Sequence, residues 1–200
     1  MQVFLETERL VLRQFTEADL ENLVALDSDP DVMRFLSGGT PTPRDVIQNE
    51  MLPRLLHYYE QYDGYGFWAA IEKSTGDFLG WFHFRPPKGA SPDEPELGYR
   101  LHKAAWGKGY GTEGSRALIR KGFTELGVRR VVASTYQDNL GSRRVMEKAG
   151  MTLVRTFRIT AEEMAAHGYH VASEDLWDGD DVEYALEKAD WEQQERESAA

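Results

Sequence analysis

Between Trp106 and Gly114 the chain reads Trp-Gly-Lys-Gly-Tyr-Gly-Thr-Glu-Gly, with glycines at 107, 109, 111 and 114 around Lys108. Gly111, Ser115, Leu118, Gly122 and Leu126 recur at helical spacing and share one face, while Arg116, Arg120 and Lys121 take the other. A glycine-rich loop opening a helix suits an anion. The first helical turn has N–H groups without partners, the helix dipole favours negative charge there, and glycine lets the backbone approach a phosphate that a Cβ would hold off. The competing reading is a helix start with flexible glycines and no ligand.

Other phosphate motifs fit less well. Gly109-Tyr-Gly111-Thr-Glu-Gly114 satisfies the dinucleotide pattern G-x-G-x-x-G, and Asp138 ends the next strand where a ribose-binding acid would sit. That fingerprint lies tight against its strand, whereas Lys103-Ala-Ala intervenes here, and a doubly wound alternation of strands and helices is missing. No glycine-lysine pair is followed by serine or threonine, so a P-loop fails. There is no G-x-S-x-G elbow for serine hydrolysis. His83, His102, His167 and His170 show no metal spacing, and they read as surface or packing residues. Glu174, Asp175, Asp178, Asp180 and Asp181 do not follow the calcium-loop pattern; they read as a solvated loop that could also attract a cationic acceptor.

The elements around the loop follow from pattern. Arg9 to Phe15 has strand composition and ends at Thr16-Glu-Ala-Asp19, a capping-box-like helix start. Asp29-Pro30 breaks that helix, Gly38-Gly39 is a loop, and Thr42-Pro43 reads as the cap of a helix to about Tyr62, kinked or split at Pro53. Phe67 to Ile71 and Phe78 to Phe84 flank Ser74-Thr75-Gly76-Asp77 as a hairpin, whose Phe67, Trp68, Trp81 and Phe84 pack it or line a cleft. A proline-rich loop from Pro86 to Pro95 leads to a strand at Glu96 to Leu101, where Gly98 marks a bulge or a close backbone approach. After the glycine loop and its helix come a strand at Val131 to Tyr136 and a helix from Asn139 to Gly150, with Ser142, Val145, Met146 and Ala149 inward. Thr152 to Ile159 and Val182 to Leu186 are the last strands. The expected fold is α/β (α+β): about seven mostly antiparallel strands, with one parallel crossover after the glycine loop. Residues 1–188 form one domain, and 189–200 read as a frayed acidic tail.

Composition narrows the function. Two hundred residues, 41% hydrophobic and 28% charged, support one core. The absence of cysteine excludes disulfides, thiolate metal sites and a cysteine nucleophile. No apolar run reaches membrane-spanning length and the start lacks a signal pattern, so the expected location is cytoplasmic, without a membrane partner. A net charge of -11 argues against nucleic acid as a partner. A monomer and a homodimer are equally compatible with it.

Taken in order, Glu96-Leu97-Gly98-Tyr99, the glycine loop, Asn139-x-x-Ser142 and Glu147-Lys148-Ala149-Gly150-Met151 resemble the GNAT acetyltransferases. Glu8-Arg9-Leu-Val-Leu-Arg and Asp181-Val-Glu-Tyr-Ala-Leu are similar to its Rim-type branch, which acetylates ribosomal-protein N-termini, so the likeness spans most of residues 6 to 188. It implies a sheet splayed between the fourth and fifth strands, with acetyl-CoA as co-substrate in the gap and no metal. The pantetheine arm would pair with backbone at Tyr99, Arg100 and Leu101, and the pyrophosphate would lie on the amides of Gly107, Lys108, Gly109, Tyr110, Gly111 and Thr112. Trp106 stands where the family commonly has Gln or Arg.

The same likeness assigns the chemistry. Amine acetylation needs a neutral nitrogen, a polarised carbonyl and a proton for the leaving thiolate. Glu96 is the candidate base and Ser142 the candidate acid, with Tyr136 as a weaker alternative. The tyrosine that many members place four residues before the glycine is Met146 here. Asn139 either holds the pantetheine amide or serves as a helix cap, and the oxyanion donor is expected near Gly98. An α-amine costs roughly 1 kcal/mol to neutralise near pH 7, a lysine-like amine roughly 4–5 kcal/mol, which favours a protein N-terminal α-amine or a weakly basic small amine. The alternative is a non-catalytic acyl-CoA sensor with the same fold.

Overall fold

The computed structural model describes residues 2–87, 91–158 and 179–199. Ile159, His167, His170, Glu174, Asp175 and Asp178 lie outside the described residues. Eight strands form one sheet: β1 (Val3–Glu6), β2 (Leu10–Arg13), β3 (Gly66–Glu72), β4 (Phe78–Arg85), β5 (Glu96–Leu101), β6 (Arg130–Tyr136), β7 (Thr152–Phe157) and β8 (Asp181–Glu187). Their spatial order is β1-β2-β3-β4-β5-β6-β8-β7. The mixed, mostly antiparallel sheet is the expected one, with β1 as an additional strand against β2. Among the described residues only β5 and β6 run parallel, joined by the crossover helix α5 (Tyr110–Glu125).

Side-chain alternation divides the sheet into two faces. Phe67, Ala69 and Trp81 join Phe15, Leu23, Leu26, Ile47, Leu52 and Leu55 beneath α1 (Leu20–Asp27), α2 (Pro30–Ser37), α3 (Arg44–Val46) and α4 (Leu52–Gln61). Trp68, Phe82, Phe84, Leu97 and Leu101 join Leu118, Ile119 and Phe123 of α5 and Met146 of α6 (Leu140–Lys148). Thr16 and Asp19 form the expected capping box. Pro30 opens a helix rather than only ending one, because Asp29 caps it by accepting from Asp31 N–H. Thr42 is not a cap: its hydroxyl donates to Asp27 at 3.0 Å. A π-helical turn over Ile47–Met51 precedes Pro53 and absorbs the hydrogen bond that proline cannot make. The expected frayed tail is instead the helix α7 (Lys188–Ser198), held by Trp191 against Phe123 and by Gln194 donating to Gly150 O at 3.1 Å.

Glycines set how close α5 lies to the sheet. A Cβ on Gly114 would come 2.7 Å from Phe82 Cε1, and one on Gly122 would come 2.7 Å from Phe84 Cζ. Gly111 faces α6, where a Cβ would meet Val145 Cγ2 at 3.2 Å. Two of the glycines that read as phosphate-approach residues therefore also serve packing. The first turn of α5 is tied to the β1–β2 turn through Glu113. Its carboxylate accepts from Thr7 Oγ1 at 2.6 Å and Arg9 N at 2.9 Å, and pairs with the Arg9 guanidinium at 2.5 Å. Arg9 also donates to Lys108 O and lies 4.5 Å over the Tyr110 ring.

Two outcomes follow for stability. Gly114→Ala is expected to lower the unfolding free energy by about 1–3 kcal/mol, read from urea denaturation, because the added methyl must push α5 off Phe82. Burial opposes ionisation of Glu113, but the hydrogen bonds from Thr7 and Arg9 outweigh it and hold its carboxyl below the usual 4.5. A lowered native pKa means that this stabilisation is present above the unfolded value and lost as pH falls through the native one. Glu113→Gln should thus be less stable than the parent at pH 7, with the difference closing in thermal melts taken below about pH 4.5. A constant difference across that range would exclude an ionised clamp.

Candidate active site

The sheet opens between β5 and β6. Arg129 and Arg130 N–H donate to Asp93 O, Val132 N–H donates to Pro95 O at 3.1 Å, and Glu96 pairs with Val132. No later residue of β5 pairs with β6. Strand geometry then fixes which backbone groups are left open. Pro95 O points to β6 and His102 N–H points back to Leu79 O on β4, so odd-numbered residues face the gap and even-numbered ones face β4. Tyr99 N–H and C=O and Leu101 N–H lie along the open edge. Leu101 O already accepts from the Trp106 indole at 2.8 Å. That bond is a role for Trp106 that its position in the motif did not suggest.

This geometry corrects two expectations. Arg100 cannot offer backbone to a ligand in the gap, since it pairs with Trp81 of β4, and its side chain makes a buried ion pair with Asp27 at 2.6 Å on the α1 side. There is also no bulge at Gly98. The β4–β5 register runs without a shift from Gly80↔Leu101 to Arg85↔Glu96, so Gly98 N–H faces β4 and is not the open oxyanion donor. The second reading of Gly98, a close approach, is the observed one: the His83 ring sits against it. The open N–H nearest in the chain is that of Tyr99.

At the mouth of the gap the glycine loop is exposed, with Gly107 at φ 72° and Gly109 at φ 86°, left-handed conformations that favour glycine. Glu113 N–H is the first to close onto the helix, at Gly109 O and 3.0 Å. Ahead of it, the amides of Gly107, Lys108, Gly109, Tyr110, Gly111 and Thr112 have no hydrogen-bond acceptor among the described residues. The Tyr110 ring is buried and its hydroxyl donates to Glu72, which fixes the helix start.

The side chains chosen from sequence fall on two sides of β5. Glu96 faces the α1–α4 side, with Arg85 Nη2 at 3.3 Å and His83 Nε2 at 3.6 Å from its Oε2. His83 is buried, not a surface residue. On the other side, the Tyr99 hydroxyl crosses the gap to α6 and lies 3.0 Å from both Ser142 O and Ser142 Oγ. Burial pushes the Tyr99 phenol well above its usual value, against a smaller opposing effect of the Ser142 bond, so it stays protonated. This contact was not legible from sequence, because Tyr99 and Ser142 are 43 residues apart. Asn139 is a cap: its Oδ1 accepts from Ser142 N–H at 3.2 Å, and its Nδ2 donates to Thr135 Oγ1 at 3.1 Å. Met146 is buried. Tyr136 closes β6 opposite Asp181, and Asp181, expected in a solvated loop, is buried there.

Among the described residues no group of three or more metal-binding side chains is assembled, and no helix is long and apolar enough to cross a membrane. Residues 9–152 match the Acetyltransferase (GNAT) domain family. The chain is 35% identical over 163 residues to the FsC-acetyl coenzyme A-N(2)-transacetylase of Aspergillus fumigatus, covering 78% of this chain and 68% of that protein. It is 34% identical over 155 residues to the uncharacterized protein YkkB of Bacillus subtilis, covering 77% and 88%. A GNAT-family acetyltransferase of Bacillus anthracis superposes with a TM-score of 0.71 at 24% identity, over 94% of this chain and 99% of that one. RimL, a ribosomal-protein alpha-N-acetyltransferase solved with coenzyme A, superposes with 0.73 at 18% identity, over 93% and 98%. A sheet opened after one parallel pair, a helix start with its amides open, and this family match lead to one conclusion: the chain belongs to the GNAT acetyltransferases and is an acetyl-CoA-dependent N-acetyltransferase.

Proposed function

We propose that the protein transfers acetyl from acetyl-CoA to a weakly basic primary amine, an α-amino group of a peptide, a protein N-terminus or a small molecule, by direct attack in a ternary complex. The observation that carries this reading is the open edge of β5, near the amides of 107–112 that have no acceptor among the described residues; the Glu96 carboxylate and the Ser142 hydroxyl on either side of the strand suit proton transfer. The loop amides suit the pyrophosphate, with Lys108 adding charge from the side. Tyr99 C=O and Leu101 N–H suit the pantetheine amides, and Tyr99 N–H suits the carbonyl oxygen as it gains charge. Two relatives support an α-amine: one is named for transfer to N(2), the other for an alpha-N-protein acceptor.

Glu96 takes a proton from the amine, directly or through water, as the new N–C bond forms. When the C–S bond breaks, the electron pair leaves on sulfur, and the Ser142 hydroxyl supplies the proton that makes the free thiol. The second proton of the original ammonium leaves to solvent through Glu96, and solvent restores the Ser142 hydroxyl. Tyr99 holds Ser142 in place: donating to Ser142 O leaves its own oxygen to accept from Ser142 Oγ–H. Neutralising an α-ammonium group costs only roughly 1 kcal/mol near pH 7, within reach of one carboxylate.

Release of CoA thiol, followed across α-amino peptides, lysine-like amines and small cationic amines, should be fastest with the α-amines. Acetyl-CoA binding without turnover on any acceptor would overturn the reading. Glu96→Gln should lower kcat/KM by about 10²–10⁴ and remove the acidic limb of its pH profile. Ser142→Ala and Tyr99→Phe should each lower kcat by about tenfold with little change in acetyl-CoA affinity, and the double variant should be no worse than Ser142→Ala, since both act on one hydroxyl. Independent, multiplying losses would separate the two residues.

A further inference from the structure

His83 has no part in the transfer scheme, yet it is not placed as a simple core residue. It lies on β4 directly across from Gly98, is 8% exposed, and sits edge-on to Phe67 with Trp81 alongside. Its Nε2 is buried and has no hydrogen-bond partner among the described residues. A buried polar atom without a partner calls for a reason. Glu96 Oε2 is 3.6 Å away, a fraction of an ångström beyond hydrogen-bond length, and Arg85 Nη2 approaches the same oxygen at 3.3 Å. Gly98 is what admits the ring, since a Cβ there would come 2.5 Å from His83 Cε1.

We infer that His83 is a positioning residue for Glu96: its Nε2–H, together with Arg85, holds Oε2 and so fixes the plane in which the carboxylate meets the acceptor amine. The inference rests on the assignment of Glu96 as base. Burial, reinforced by Arg85 and Arg100, pushes the imidazole well below its usual value, so the ring is neutral at pH 7. A neutral donor steadies the carboxylate without adding positive charge beside an incoming ammonium. Among the described residues the charged groups around the ring are Arg85 on β4, Glu96 and Arg100 on β5, and Asp27 at the end of α1, which binds Arg100.

Three proteins are compared as purified full chains: the parent, His83→Phe, which keeps a flat ring without nitrogen, and His83→Gln, whose side-chain N–H₂ falls near the original Nε2. His83→Phe should lower kcat/KM for the amine about tenfold, leave the KM for acetyl-CoA unchanged, and move the acidic limb of the profile to higher pH, because the carboxylate has lost a donor to its charged form. His83→Gln should restore most of the rate. An acidic limb shared by His83→Phe and the parent would overturn the inference. If His83→Phe does not fold, imidazole ¹⁵N shifts of the parent decide: a neutral Nε2–H tautomer that responds to Glu96→Gln is expected, and an Nδ1–H tautomer overturns it. Full activity of Glu96→Gln would instead remove the base assignment itself.

Discussion

A strand that parts from its neighbour inside a protein leaves backbone donors and acceptors that must be met by something else. β5 does this after a single pair with β6, and the consequence runs through the whole molecule. Its open edge is held at a fixed width because β5 is zipped to β4 over six residue pairs without a shift, while β6 is zipped to β8 over seven. Two rigid half-sheets joined at one end cannot close on each other. A thioester arm bearing its own amides can supply the hydrogen bonds that β6 withholds.

The helices adapt to that opening. α5 must cross from the end of β5 to the start of β6, and it lies close enough only because Gly114 and Gly122 let the Phe82 and Phe84 rings touch its backbone. Its N-terminus consequently lies at the mouth of the gap, where the open amides and the dipole favour negative charge. The Thr7–Arg9–Glu113 cluster fastens that end to the opposite edge of the sheet, so that the amides are presented by a fixed turn. Gly111 does the same toward α6, setting the α5–α6 approach at Val145.

Strand alternation sorts the side chains of β5 onto two faces. Residues 96, 98 and 100 of β5 face the α1–α4 layer with 81, 83 and 85 of β4, while 97, 99 and 101 face α5 and α6. The Glu96 carboxylate and the Tyr99–Ser142 hydroxyl pair thus lie on opposite faces of one strand. Asp27 bridges Arg100 to Thr42, which ties the α1–α4 layer to the same strand. The α1–α4 layer is therefore braced against β5.

Local patterns made much of this legible. The period of α5, the caps at Thr16 and Asn139, the stop at Gly150 and the seven strands after β1 follow from interactions within a few residues, and the open amides follow from glycines beside a helix start. Where a residue is needed by something distant in sequence, its local pattern misleads. Gly98 reads as a bulge but serves His83; Thr42 reads as a cap but serves Asp27; the last acidic residues read as a tail but carry Trp191 to Phe123. The sequence alone determined that a glycine-rich helix start sits in a mixed sheet, with Glu96 before it and Ser142 after it in the chain. Only the tertiary structure decided which β5 groups face the gap, that Tyr99 reaches Ser142, and that Arg100 is paired with Asp27, because strand register and long-range contacts have no signature in residue spacing.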